Sequence, residues 1–499
     1  MRYTKGRGCF LILTFLAAVL FSSCSSRLKK QDNELGSGSE KFSLISEISS
    51  DQKSPFYIDF SEYPREWDSL PIGVFDSGTG GLTVLNALIR LDAFDNRTHE
   101  RGSDGIPDFV SEKFIYLGDK ANMPYGRYPS EGKTDFLKEL IIKDIRFLLA
   151  DKYSVSPEEK SPTGEKLPVK AIVIACNTAT AYGFELVERI LEEWGSDMKA
   201  IGIIDAGAGE AVELYNADTK DAVAVFATEG TCSSMGYPKA LKRYFSEKGI
   251  KGVDILQQPC FGLAGAVDGD PAYIVQDPSG VRGSDLYQGP GLGHPAYAID
   301  LSLWEEYHFD TGDGLLLEKD EEGNIITAEL NSVENYIKYY VTSLAAEALE
   351  RGETGRIRSV ILGCTHYPLF EQDFRDHFIF LRTVDEKYRD IIPEDIHIID
   401  PAEAEAVSLY LYLKERNLFG RNKNSESRFF LSVPNPLLEA NRINSAGEFP
   451  IDYKYGRDIN QSSLYVKRVP LRKKHLPEAL LLKLQRSLPD IYALLFDSN

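Results

Sequence analysis

The chain has 499 residues, of which 43% are hydrophobic and 11% aromatic, so it can bury sizeable cores. Its length suits two domains with extra segments, at roughly 100 to 200 residues per domain. A formal net charge of −20 argues against nucleic-acid binding or an anionic membrane surface, because both need clustered Lys and Arg. An anionic small molecule would have to be held by local donors such as the N–H groups at helix N-termini.

The first residues are typical of a processing signal rather than of a fold. Basic residues precede the apolar stretch CFLILTFLAAVLF, which is too short to span a membrane comfortably, and the small residues SSC come next. The pattern over residues 1–23 is similar to a bacterial lipoprotein signal, in which Cys24 would carry lipid on the periplasmic side of a membrane. An uncleaved anchor and a cytoplasmic protein with a later start are the alternatives. Residues 24–70, Ser-rich and polar at first, are expected to form a tether.

From residue 71 onward, strand patterns alternate with helical ones. This alternation predicts an α/β fold with mostly parallel sheets. The strand candidates are PIGVF, KFIYLGD, VKAIVIAC, KAIGIID, DAVAVFAT, VDIL, SVILGC and IHIID. Each ends on, or is directly followed by, a small or polar residue, where the ligand-binding loops of such sheets begin.

A faint internal repeat indicates a duplicated domain. VFDSGTGGLTVLNAL and VFATEGTCSSMGYPKAL both read as strand, Val-Phe, a hydroxyl residue, Gly and then helix. We expect two similar α/β domains that face each other with a ligand in the cleft between them. The predicted boundaries are domain 1 at 71–200 plus 396–436, domain 2 at 201–395, an insertion at about 268–330 and a C-terminal extension at 437–499.

The extension contains one amphipathic pattern. Leu480, Leu484 and Leu488 recur at four-residue spacing, which predicts a helix with one apolar face. Packing of this face against the body of the protein is favoured over a membrane or partner contact.

Four cysteines remain once Cys9 and Cys24 are assigned to the signal. Their wide separation, without a CxxC pair, does not indicate a disulfide framework or a zinc site. Cys176 and Cys364 each end a hydrophobic strand at a strand-to-helix turn, where N–H groups would lower the ordinary thiol pKa of about 8.5. Cys232 and Cys260 are interpreted as packing residues.

Two thiols in matched settings suit a symmetric reaction. Inversion at a carbon next to a carboxylate needs a base on one face and an acid on the other, and a thiolate and a thiol can exchange these roles. Sulfurs about 3.5 Å from the reacting carbon would lie roughly 7 Å apart, too far for a disulfide without movement. The alternative for either cysteine alone is a small buried hydrophobe.

Five motifs carry a resemblance to a known family. IGVFDSGTGGLTVL, YLGDKANMPYG, IACNTATA, ATEGTCSSMGY and LGCTHYPL, in this order, closely resemble glutamate racemases of the aspartate/glutamate racemase superfamily. The resemblance covers about 71 to 436 and implies an isomerase that interconverts L- and D-glutamate, a peptidoglycan precursor, with no cofactor and no bound metal. The implied partners are the small-molecule substrate, a membrane through the lipid anchor alone and, as an open alternative, a second copy of the chain. No nucleic acid is expected.

The resemblance also implies roles for single residues. Cys176 and Cys364 match the acid/base residues, with Asp76 assisting the first and His366 the second. Further positions match the substrate pocket, which Asp76 and His366 also line: Ser77, Pro124, Tyr125, Gly126, Asn177, Thr178 and Thr365. Asp76 could instead cap the next helix, and His366 could be a satisfied turn histidine. A phosphate loop at GTGG is disfavoured because no Lys-Ser/Thr pair comes after it.

Two departures from the family leave alternatives open. Where the family has a Cys-Pro pair leading to an acidic residue, this chain has QPCFGLAGAVDGD, with the order reversed and Asp268 near the acidic position. Aspartate or a related amino acid therefore stays open as the substrate. A lipid-anchored copy would also differ from the cytoplasmic family, so a surface lipoprotein that binds an amino acid without turnover is a further alternative.

Overall fold

A computed structural model describes most of the chain. The described residues are 41–217, 220–276, 278–283, 285–352, 355–420, 426–439, 442–444, 447–461, 464–476 and 478–496. The predicted signal, Cys24 and the start of the tether lie outside these residues. The chain divides into two compact units, Met1–Tyr57 and Ile58–Asn499.

The second part of the predicted tether is folded. In the first unit a helix spans Ser43–Ser49 and buries Leu44, Ile45 and Ile48. In the second unit the 3₁₀ turn Phe60–Glu62 precedes Tyr63, whose hydroxyl donates to the Val169 carbonyl at 2.7 Å. The tether prediction is therefore wrong from residue 41 onward, because apolar and aromatic side chains interrupt the polar sequence and are buried. Within the described ranges, no helix is long and apolar enough to cross a membrane.

The first sheet has six strands. They are β1 Ile72–Asp76, β2 Phe114–Gly118, β5 Ala171–Ile174, β6 Ala200–Gly202, β13 Arg428–Pro434 and β14 Val466–Pro470. Their order across the sheet is β14-β13-β2-β1-β5-β6. All pair in parallel except β14, which runs antiparallel to β13. Every residue of β1, β2 and β5 is buried, as expected for parallel strands covered on both faces.

The second sheet has four parallel strands. They are β7 Ala222–Ala227, β8 Asp254–Pro259, β11 Ile357–Gly363 and β12 His397–Ile399, in the order β12-β11-β7-β8. The arrangement β8-β7-β11-β12 repeats the arrangement β2-β1-β5-β6 of the first sheet. The predicted α/β class with mostly parallel sheets is confirmed, and Cys176 and Cys364 come after equivalent strands in the two halves.

Smaller pairs and helices complete the unit. Two antiparallel pairs join β3 Lys152–Tyr153 to β4 Gly164–Glu165 and β9 Leu315–Lys319 to β10 Ile325–Leu330, the second lying in the predicted insertion. The α-helices of this unit are Leu82–Arg90, Arg127–Ser130, Thr134–Leu149, Asn177–Glu193, Ile203–Glu213, Glu229–Ser233, Gly236–Glu247, Leu263–Asp268, Trp304–Tyr307, Val333–Arg351, Glu371–Val384, Lys387–Ile391, Pro401–Arg416, Ile451–Gly456, Glu478–Ser487 and Pro489–Phe496. The 3₁₀ turns are Phe60–Glu62, Trp67–Ser69, Lys120–Asn122, Leu301–Leu303, Tyr367–Phe370 and Lys473–His475.

The predicted domain boundaries differ from the sheets in three places. β6 crosses the predicted boundary at 200/201 and belongs to the first sheet. β12, placed in domain 1 by the sequence, pairs with β11 in the second sheet. The extension is not merely appended, because β14 pairs with β13 along its length. A strand pattern alone does not say which neighbour it pairs with, so these assignments depend on tertiary structure.

Candidate active site

A cavity of about 580 Å³ lies where the carboxyl ends of strands from the two sheets meet. This is the usual position of ligand sites in parallel α/β structures. Nine of the predicted site residues line it: Asp76, Ser77, Pro124, Cys176, Asn177, Thr178, Cys364, Thr365 and His366. The fold therefore brings the two cysteine turns to a single cavity.

Cys176 occupies the N-cap of helix Asn177–Glu193. Its sulfur accepts a hydrogen bond from the Ala179 N–H at 3.5 Å and donates one to the Ser77 hydroxyl at 3.5 Å. Only 6% of this residue is exposed. Burial, with a smaller contribution from Asp76, raises the pKa of the Cys176 thiol to about 12. The expectation that the helix N-terminus would lower this pKa is therefore wrong, since loss of water outweighs the N–H donors.

Asp76 ends β1 beside this thiol. Its carboxylate accepts a hydrogen bond from the Gly78 N–H at 2.9 Å. Burial raises the pKa of Asp76, and backbone N–H groups, that of Gly78 first, oppose the rise. The next helix begins at Leu82 with Gly81 at its N-cap. Asp76 thus holds the turn and faces the cavity rather than occupying the helix cap.

Cys364 has a different set of neighbours. Its sulfur lies 3.6 Å from Nδ1 of His366, whose Nε2 lies 3.3 Å from Oδ1 of Asp268. Burial disfavours the imidazolium, but the contacts with Asp268 and Cys364 outweigh it and raise the pKa of His366 to about 10. His366 is therefore charged at neutral pH and links a carboxylate to a sulfur. These contacts place His366 in the cavity wall. A histidine that served only the turn would not need them.

Asp268 is a lining residue that the predicted site did not include. It is the last residue of helix Leu263–Asp268, and its side chain is 50% exposed. The only sequence signal was an acidic residue after QPCFGLAGAV. Its partner His366 is 98 positions further along the chain, so local sequence could not reveal the pair.

Two predicted pocket residues do not line the cavity. Tyr125 is 1% exposed, and its hydroxyl lies 2.6 Å from Asp119 and 2.7 Å from Asp144. Gly126 comes next and begins the turn into helix Arg127–Ser130. Pro124 of the same motif lines the cavity, whereas the tyrosine side chain points into a buried polar cluster.

Several lining residues come from segments that the sequence did not assign to the site. Thr228 and Thr231 lie in the repeat motif ATEGT at the end of β7, and Thr228 is the N-cap of helix Glu229–Ser233. The C-terminal extension contributes Leu480, Leu484, Ser487 and Leu488. Its leucine spacing predicted a packed helix, which the structure contains, but gave no indication that the helix faces a cavity.

The other two cysteines lie in the core. Cys232 and Cys260 are 6% and 2% exposed, and neither lines the cavity. All four cysteines in the described part of the chain are free. Both observations agree with the interpretation of Cys232 and Cys260 as packing residues.

The sequence is similar to those of curated glutamate racemases. One from Thermoanaerobacter pseudethanolicus is 26% identical over 365 residues, covering 73% of this chain and 89% of that protein. Another, from Oceanobacillus iheyensis, is 33% identical over 182 residues, covering 36% of this chain and 50% of that protein. The chain is homologous to glutamate racemases. The resemblance drawn from the five motifs is therefore confirmed, and the prediction of an isomerase of this kind is supported by the same relatives.

Solved structures of glutamate racemases are also similar to this chain. A structure from Bacillus anthracis has a TM-score of 0.42 and 22% identity, covering 72% of this chain and 88% of that one. A structure from Francisella tularensis in complex with D-glutamate has a TM-score of 0.41 and 22% identity, covering 80% of this chain and all of that one. No model of a protein family matches the chain.

Proposed function

We propose that the protein is a cofactor-independent amino-acid racemase that interconverts L- and D-glutamate by proton transfer between Cys176 and Cys364. The observation that carries the proposal is the meeting of two thiols, from equivalent strands of a repeated topology, at one cavity. A site that only binds an amino acid has no need for a matched acid and base.

The proposed reaction is balanced by protons alone. One sulfur, as thiolate, takes the α-proton, so that the Cα–H bond breaks and an S–H bond forms. The other sulfur, as thiol, gives its proton to the opposite face of the carbanion, so that an S–H bond breaks and a new Cα–H bond forms. In the resting site Cys176 is the thiol, because its pKa is about 12. We assign the base to Cys364, whose sulfur lies 3.6 Å from Nδ1 of His366, a position from which the imidazole can exchange a proton with it.

The polar groups of the cavity suit an amino acid with two carboxylates. Ser77, Asn177, Thr178 and Thr365 provide hydroxyl and amide groups. Helix Asn177–Glu193 begins at the cavity, and its N-terminal N–H groups favour an anion. A carboxylate of the substrate would thus meet local donors despite the net charge of −20.

The test is incubation with L-glutamate in D₂O under reducing conditions. We expect D-glutamate to appear with deuterium at the α-carbon. Cys176→Ser and Cys364→Ser should lose the activity, whereas Cys232→Ser, which changes a buried thiol that does not line the cavity, is the matched control. Glutamate binding by calorimetry without exchange or racemisation would contradict the proposal and favour a binding lipoprotein.

Asp268 motivates a second candidate substrate. It follows the reversed Cys-Pro pair of the family motif, and its half-exposed carboxylate lines the cavity beside His366. The same deuterium assay with L-aspartate separates the two substrates. Faster exchange with aspartate than with glutamate would replace glutamate in the proposal.

We also propose that Cys24 anchors the protein to a membrane, where it would supply D-glutamate as a peptidoglycan precursor. The signal-like residues 1–23 support this location, and cytoplasmic function is the alternative. Labelling cells with radioactive palmitate should mark the wild-type protein but not Cys24→Ala. An unlabelled wild-type protein in the soluble fraction would favour the cytoplasm.

A further inference from the structure

The C-terminal extension supplies one side of the candidate active site. Leu480, Leu484 and Leu488, together called the leucine wall, line the same cavity as Cys176 and Cys364. They lie on helix Glu478–Ser487 and directly after its end. This segment lies outside the motifs that resemble racemases, so the resemblance assigns it no role.

Helical geometry explains why these leucines share one face. Residues four apart lie one above another on a helix, so the spacing from 480 to 488 aligns all three side chains. Leu484 and Leu488 are only 3% and 6% exposed. Leu482, on the same helix, is 46% exposed and does not line the cavity. The helix therefore presents a distinct apolar face to the site.

The extension is fixed to the first sheet at the base of this helix. β14 pairs with β13 from Val466 to Pro470. From the same strand, Arg468 donates to Asp144 at 2.7 Å, and the Asp144 side chain is fully buried. Removing one partner of such a buried ion pair is costly, so the strand is held firmly in place.

Other contacts tie the extension to the loop that carries Met123 and Pro124, two further residues of the cavity. Arg457 donates to Asn122 at 2.7 Å, and Lys454 donates to the Met123 carbonyl at 2.9 Å. Just before the leucine wall, the His475 carbonyl accepts from Lys120 at 2.7 Å. The extension thus holds one loop of the cavity and also closes its apolar side.

We propose that the leucine wall assists the two-thiol reaction by excluding water from the cavity. Apolar side chains beside the thiols keep bulk water away, which strengthens local electrostatics and prevents a carbanion from taking a proton from solvent. The catalytic part of this inference rests on the proposed function. The shielding of the thiols depends on the geometry alone.

The test compares full-length Leu484→Ser with Leu482→Ser. The first puts a hydroxyl into the leucine wall, and the second makes the same change on the exposed face of the same helix. We expect iodoacetamide to alkylate Cys176 and Cys364 about tenfold faster in Leu484→Ser than in wild type, since access to a thiol governs its reactivity. Leu482→Ser should match wild type. Mass spectrometry of the two cysteine peptides measures the rates.

Kinetics give the second measurement. Leu484→Ser should lower kcat for racemisation more than it raises KM, because water exclusion acts on the proton transfer rather than on the first encounter with substrate. If thermal melting shows that Leu484→Ser destabilises the fold, the half-buried Leu480→Ser takes its place. Unchanged alkylation and unchanged kcat in the folded variant would overturn the inference.

The outcomes separate this inference from the proposed function. If Leu484→Ser is alkylated faster than wild type but the wild-type protein does not racemise glutamate, the result would support the shielding and contradict the racemase. If Leu484→Ser and wild type are alkylated at equal rates and the wild-type protein racemises glutamate, the result would support the proposed racemase function and contradict the proposed role of the leucine wall.

Discussion

The turns that carry Cys176 and Cys364 have equivalent backbone positions but unlike surroundings. Both come after the third strand of a repeated four-strand order and both reach one cavity. Cys176 is the N-cap of the helix that directly follows it, lies next to Ser77 and has a raised pKa. Cys364 precedes the 3₁₀ turn Tyr367–Phe370 and contacts His366.

This difference shows what a duplicated fold leaves to its side chains. The repeated strands place two sulfurs at corresponding positions, but the side chains around the two sulfurs differ. Burial raises the pKa of Cys176, while the sulfur of Cys364 lies beside the imidazole of His366, whose other ring nitrogen contacts Asp268. In the proposed reaction, these different surroundings would give Cys176 the role of acid and Cys364 the role of base.

The largest expected effect breaks the comparison at the sulfurs. Cys176→Ser and Cys364→Ser should each lower kcat by about 10³-fold or more, because proton transfer by a positioned group contributes about 10² to 10⁴. Chiral chromatography of glutamate measures the loss. Substantial activity in either variant would mean that the two turns are not a working pair.

The next effect tests the unequal partners. His366→Gln keeps a hydrogen-bonding side chain but removes the charge beside Cys364, so we expect kcat to fall about 10²-fold. Exchange of the α-proton in D₂O, measured for each glutamate enantiomer, should be impaired more for the enantiomer whose proton faces Cys364. Equal and small losses for both enantiomers would indicate that His366 has only a structural role.

Thiol labelling tests the raised pKa of Cys176 directly. Because the thiolate is the reactive form and burial raises the pKa of Cys176, iodoacetamide should label Cys176 about tenfold more slowly than Cys364 in the wild-type protein. The two residues have similar exposure, 8% and 6%, so access alone would give similar rates. Faster labelling of Cys176 would reverse the assignment of acid and base.

The smallest expected effect concerns stability. The pKa of His366 is raised from its ordinary 6.5 to about 10, so its charge stabilises the fold fully below pH 6.5 and loses this contribution as pH rises through about 10. Asp268→Asn removes part of the cause and should lower the free energy of unfolding by about 1 kcal/mol at pH 6. At pH 10 the difference from wild type should shrink. Urea unfolding at both pH values checks this, and a difference independent of pH would contradict it.

Much of the site could be predicted because its signals are local. The strands β1, β2, β5, β7, β8, β11 and β12 all lie within or overlap the strand candidates taken from apolar runs. Each cysteine motif places its sulfur at the end of one of these strands. The packing of the two sheets then brings both strand ends to one cavity. The motif could not indicate the direction of the Tyr125 side chain, which lies against the buried Asp144 rather than in the cavity.

The sequence by itself determined the α/β pattern, the repeat and the two cysteine turns, since each depends on residues close together in the chain. Only the tertiary structure decided that β12 joins the second sheet, that Asp268 meets His366 and that the C-terminal leucines close the cavity. It also decided that the pKa of Cys176 is raised rather than lowered. Strand pairing, burial and charge contacts join distant segments, and their energies depend on the surroundings of a residue in space rather than on its neighbours along the chain.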